Sequence, residues 1–218
     1  MNAYRIAKFM VLAVLLSGSA LAAPSNSHDS VFEAAQAAKN EQLKFLGTIV
    51  NIDSGTGDVA GGRKIAALLA AELKSLGAKL ETVPAEKPDL PENLVATFEG
   101  RGTGRILMIG HIDTVFEPGT AGQRPFGIES NRAHGPGVAD EKGGVVEGLY
   151  ALKLIHALGF KDFRRITFLM ETSEERGSPG TRELIKRLLQ DADVELNLEP
   201  GDPPDTLTVW RKDRKSVV

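Results

Sequence analysis

The stretch Arg105-Ile106-Leu107-Met108-Ile109-Gly110-His111-Ile112-Asp113-Thr114-Val115 decides the fold. Residues 105–110 form a nearly continuous apolar run, the pattern of a central strand buried on both faces. An imidazole and a carboxylate follow at once. Two further apolar runs end the same way. Residues 165–170 lead into Glu171-Thr172-Ser173-Glu174-Glu175, and residues 194–198 lead into Glu199-Pro200. Between them lies the loop Gly135-Pro136-Gly137-Val138-Ala139-Asp140-Glu141-Lys142-Gly143-Gly144. In an open α/β sheet, ligands bind beyond the carboxyl ends of the strands. Carboxylates this numerous repel one another in a shared cleft, and one or two divalent cations are the simplest charge to hold them together.

Apolar spacing predicts helices over 31–50, 61–76 (closed by Gly77) and 143–158 (closed by Gly159). Ser178-Pro179 reads as the N-cap and first turn of another, running to Leu189. Residues 79–83 and 93–98 alternate like strands, and 126–133 reads as a hairpin around Ser130-Asn131. Residues 53–58 and 116–125 read as loops, with Asp53 and Asp58 as turn residues. Strands alternating with helices predict an α/β fold, a three-layer αβα sandwich with a mostly parallel central sheet.

The chain has 218 residues, a net charge of -3 and no cysteine. No basic patch stands out, which argues against a nucleic-acid partner. Without thiolates, any metal must be held by His and carboxylate, a donor set that suits catalytic zinc. Residues 1–22 read as a secretory signal peptide. Arg5 and Lys8 precede a short apolar core, and Ala20-Leu21-Ala22 is the cleavage triplet. That core is too short to span a bilayer comfortably, so no membrane attachment is expected after cleavage, and the protein is expected to be periplasmic or secreted. Residues 23–30 read as a linker, 31–212 as part of a catalytic domain, and 213–218 as a non-native charged tail after the apolar run 206–210.

Each motif alone has a plainer reading. His111 with Asp113 is elsewhere a strand-end histidine beside a capping acid. Asp140 in its glycine loop is equally a helix cap, although the loop lacks the Gly-Lys-Ser/Thr ending of a phosphate loop. Glu174-Glu175 in isolation is a charged surface loop. As a functional pair, one coordinates metal and the other accepts a proton from water. His28 falls in the linker, His134 beside the glycine loop, and His156 is expected to pack among Leu154, Ile155 and Leu158.

With these segments in this order and at these separations, the chain resembles the di-zinc aminoacylase/carboxypeptidase metallopeptidase family, and within it the secreted glutamate carboxypeptidases. The resemblance covers 31–212. It implies that Asp140 bridges two zincs, that His111 and Glu199 complete one, and that Glu175 binds the other. It further implies that Asp113 orients His111, that Glu174 is the general base, and that the Asp140–Glu141 peptide bond is cis. The implied reaction is hydrolysis of a C-terminal amide bond with release of glutamate, on a small peptide substrate. N-acyl-amino-acid amidohydrolase or dipeptidase activity uses the same motifs. A non-catalytic metal-binding module is the alternative of another class. Family members run for about twice this length. The chain is therefore expected to be an N-terminal part that lacks the last histidine ligand and the dimerisation domain, holds one zinc at most, and is inactive by itself; homodimers are expected for the full-length protein.

Overall fold

The computed structural model describes residues 27–201. The signal peptide, the strand-like run 206–210 and the charged tail lie outside the described residues. Helix α1, Ser27–Val50, opens the description. It begins four residues before the expected start, so the end of the expected linker is helical backbone. Helix α2, Val59–Ser75, follows, and Asp58 caps it by accepting the Gly61 N–H on Oδ1 at 2.9 Å. Strands β1 (Lys79–Val83), β2 (Asn93–Glu99) and β3 (Arg105–His111) come next.

The segment expected to be one loop after β3 contains a single helical turn, α3, Thr120–Gln123. Asp53 holds it, accepting the N–H groups of Gly119 and Ala121 at 2.8 and 2.9 Å. Strands β4 (Gly127–Glu129) and β5 (Arg132–His134) form the small hairpin. Its two turn residues, Ser130 and Asn131, both have positive φ, as a two-residue turn that follows strand twist requires. Helix α4 is Gly143–Ala157, β6 is Arg165–Glu171, α5 is Arg182–Gln190 and β7 is Val194–Asn197. Helix α5 starts later than Ser178-Pro179 predicts. Ser178 takes a φ of 55° instead of capping, and Thr181 becomes the N-cap.

The five-stranded sheet has the order β1-β2-β6-β3-β7. β6 and β7 flank β3 in parallel, whereas β2 pairs antiparallel with both β1 and β6. Only β2 therefore runs against the others. Register places His111 opposite Glu171 and Ile109 opposite Asn197, so three strand ends reach one edge together.

Alternation sorts the side chains into two faces. Leu94, Ala96, Met108, Ile166 and Phe168 pack beneath α1, α2 and α4 with Ile49, Leu69 and Leu149. Val95, Leu107, Ile109 and Leu169 pack beneath Leu184 of α5. These are the three layers of the sandwich. His156 is exposed on α4, contrary to expectation; the buried face of that helix is carried by Val145, Val146, Leu149 and Leu152. Among the described residues no helix is long and apolar enough to cross a membrane.

Candidate metal centre

His111, the last residue of β3, is buried to 1 % exposure. Its Nδ1 lies 3.0 Å from the backbone carbonyl of Asp113. A carbonyl only accepts, so Nδ1 donates to it, and Nε2 is the nitrogen left to hold either a second proton or a cation. Nε2 faces three carboxylates. Asp140 Oδ1 is at 3.0 Å, Glu199 Oε1 at 3.5 Å and Glu174 Oε2 at 3.9 Å.

Each partner is delivered by local structure. Glu199 follows β7, where the Leu198 N–H bonds to Ile109 O at 3.0 Å and Asn197 Oδ1 accepts the Glu199 N–H at 2.9 Å. Gly144 permits this approach, because a Cβ there would stand 2.1 Å from Leu198 O. Asp140 sits in the glycine loop, and its peptide bond to Glu141 is cis. Glu174 and Glu175 begin a short 3-10 turn after β6.

Asp113 meets the imidazole at two points. Its backbone oxygen makes the shorter contact with the imidazole, while its Oδ1 stands 3.4 Å from Nδ1. The carboxylate accepts the Thr56 hydroxyl at 2.6 Å and the N–H groups of Glu174 and Glu175 at 3.1 and 3.3 Å. Asp113 thus contacts the ring through both its main chain and its carboxylate, and the same carboxylate holds the acidic pair.

The ligand atoms of His111, Asp140 and Glu199 all lie within 4.8 Å of one another, the one such group of three among the described residues. Glu175 lies outside it, lining a separate cavity with Thr56, Thr114 and Phe116. His134 and His156 are exposed and outside the cluster, and His28 is helical in its backbone.

Burial pushes the His111 pKa down, but the carboxylates of Asp113, Glu199 and Glu141 win and raise it to about 12. A field that holds a proton this strongly also favours a cation at the same place. Burial raises Glu174, and it lifts Glu175 to about 7 with help from the charge of Asp140. An imidazole nitrogen and converging carboxylates, with no lysine or arginine among the cluster, fit a divalent ion such as zinc.

Three residues were not singled out from sequence. Glu141 is fully buried, accepts the His111 N–H on Oε1 at 2.8 Å, and is raised to about 8 by burial. Its space exists because residue 110 is glycine, where a Cβ would stand 2.6 Å from that oxygen. Lys142, also buried, donates to Ile52 O at 2.8 Å and ties the glycine loop to the end of α1. Thr56 is the hydroxyl on Asp113. The sequence signals available were Gly110 directly before His111 and a lysine inside an otherwise small-residue loop.

A model of peptidase family M20/M25/M40 matches residues 107–210. Carboxypeptidase G2 of Pseudomonas sp. strain RS-16 is 38% identical over 204 residues, which span 93% of this chain and 48% of that protein. Acetylornithine deacetylase of Photorhabdus laumondii is 37% identical over 114 residues, 50% of this chain and 28% of that one. The crystal structure of human carnosine dipeptidase 1 superposes with a TM-score of 0.65 at 22% identity, covering 78% of this chain and 40% of the other, a likeness of fold. The chain spans about half the length, or less, of the relatives it matches.

Proposed function

The chain belongs to peptidase family M20/M25/M40, and from that premise we propose that the whole protein is a zinc-dependent exopeptidase that hydrolyses a C-terminal amide bond and releases glutamate. The observation that carries this reading is the convergence of His111, Asp140 and Glu199 with Glu174 beside them. Identity with carboxypeptidase G2 across most of the chain supports the carboxypeptidase class.

His111, Asp140 and Glu199 would hold one ion, and Glu175 would contribute to a second. A bound zinc supplies Lewis acidity to the scissile carbonyl and acidifies water. Glu174, raised by burial, takes the proton from the attacking water. The protonated Glu174 then passes that proton to the leaving amine. Asp113 keeps Glu174 in place through its amide. The sequence of residues 1–22 supports export, to the periplasm or the medium.

A second reading, hydrolysis of N-acyl amino acids, is favoured by the match to acetylornithine deacetylase. Assaying the whole protein on C-terminal glutamyl peptides and on N-acetyl amino acids decides between them. Turnover of glutamyl peptides is expected; cleavage of N-acetyl amino acids alone overturns the first reading. Glu174→Gln should lower turnover by about 10²–10⁴-fold with zinc content unchanged. Undiminished turnover would reject Glu174 as the base, and a metal-binding module would show no turnover in either form.

A further inference from the structure

The loop after α1 is stitched to the chain leaving β3. Gly55 and Thr114 form an isolated parallel bridge. The Thr56 N–H donates to Thr114 O at 3.1 Å, the Thr114 N–H to Ser54 O at 2.9 Å, and the Ser54 hydroxyl to Ile112 O at 2.8 Å. Glycine at position 55 permits this approach, since a Cβ there would stand 2.4 Å from Phe116 O. None of these bonds uses the Thr56 side chain. The Thr56 hydroxyl donates instead to Asp113 Oδ2, at 2.6 Å. That length is typical of a hydroxyl bound to an ionised carboxylate.

The other contacts of the Asp113 carboxylate are longer. Oδ1 accepts the Glu174 N–H at 3.1 Å and stands 3.4 Å from His111 Nδ1, and Oδ2 accepts the Glu175 N–H at 3.3 Å. The terminal torsion of an aspartate is soft, so its carboxylate keeps one plane only where both oxygens are held. Thr56 supplies the short bond on Oδ2. Without it, a turn of the carboxylate takes Oδ1 off the Glu174 amide and the imidazole together.

We propose that Thr56 is a positioning residue that acts through Asp113, its hydroxyl fixing the carboxylate that aims both the His111 ring and Glu174. The expected effect on turnover rests on the reading of Glu174 as general base; the clamp itself does not. The hydroxyl is committed to Asp113, so its loss should lower kcat and leave KM in place.

The first test is amide hydrogen exchange in the full chain without metal. Thr56→Val, which removes the hydroxyl and keeps the branched shape, should speed exchange at Glu174 and Glu175 by about tenfold. Thr56→Ser, which keeps the hydroxyl, should recover most of the protection. In the parent sequence the Thr56 hydroxyl proton should give a slowly exchanging signal, a measurement that needs no variant to fold. In the whole protein, Thr56→Val should lower kcat by about 10–100-fold, as loss of a partner that orients metal ligands does. Thr56→Ser should recover to within about threefold. An unprotected hydroxyl proton, unchanged amide exchange in Thr56→Val, or equal impairment of the valine and serine variants overturns the proposal. If Glu174→Gln keeps its turnover while Thr56→Val still loosens both amides, the clamp stands and the base reading falls. If Glu174→Gln is inactive and Thr56→Val loosens neither amide, the reverse holds.

Discussion

The two ends of β3 and β6 carry opposite electrostatics. At the amino ends, Arg105 bonds to Asp193 at 2.7 Å and Asp191 at 3.0 Å, and Arg165 bonds to Glu99 at 3.1 Å and also to Asp191. Glu99, Asp191 and Asp193 each have a guanidinium, and Asp193 is pulled down to about 2 by the hydrogen bonds from Arg105. At the carboxyl ends Asp140, Glu199 and Glu174 converge on the His111 imidazole, with no guanidinium ion-paired to them among the described residues. Burial pushes Glu141, Glu171 and Glu175 up, to about 8, 7 and 7. One edge is neutralised from within the chain. The other carries unbalanced negative charge, and its chemistry depends on a cation from outside.

The largest blow to this contrast should come from Asp113→Ala. It strands the Thr56 hydroxyl and two amides in a site where residue 113 is 3 % exposed. We expect a loss of about 2–4 kcal/mol in urea unfolding, with zinc affinity falling alongside. A loss under about 0.5 kcal/mol would show that the clamp on Glu174 and Glu175 is not a structural element.

The pH response should have opposite sign at the two ends. Glu171 has a folded pKa of about 7 against 4.5 in the unfolded chain. Its contribution is complete below about 4.5 and lost as pH rises through about 7. The metal-free chain should therefore lose stability over that window, and Glu171→Gln should flatten the loss. A melting temperature constant from pH 4.5 to 7 in the parent sequence would contradict it.

The smallest effect belongs to the amino ends. Asp193 has its pKa lowered from 3.8 to about 2, so its contribution is present above about 3.8 and lost as pH falls through about 2. Arg105→Ala should remove that acid-side dependence, be masked by salt, and leave zinc binding unchanged. Altered zinc affinity in this variant would mean that the two edges are coupled through the strands.

Much of the scaffold is legible in the sequence because each sheet strand has its own signal. Residues 106–110 are apolar throughout and 166–170 are apolar but for Thr167, and 93–98 and 79–83 sit between turn residues. The direction of β2 is not legible, since alternation carries no polarity along the chain. Ser178-Pro179 has the composition of a helix start, yet tertiary contacts settle it otherwise. Gly180 N–H bonds to Ser173 Oγ and Glu183 N–H to Glu86, which fixes the helix start at Thr181.

In the site, His111, Asp140 and Glu199 stand out because each follows a strand or sits in a glycine loop. Glu141 is hidden because an acid beside an acid in such a loop reads as solvated. Its burial depends on the missing side chain at Gly110, thirty-one residues earlier in sequence. The double role of Asp113, in contact with the ring and with the next acidic loop, depends on a fold that brings residues 56, 113 and 174 together.

The central claim is that the carboxyl edge of the sheet is a cation site built on His111. The direct measurement is zinc per folded chain by elemental analysis, for the parent sequence, His111→Ala and Arg105→Ala. About one zinc in the parent and in Arg105→Ala, with none in His111→Ala, is the predicted result. A folded parent chain that binds no zinc, or a His111→Ala variant that binds it equally well, would contradict the account.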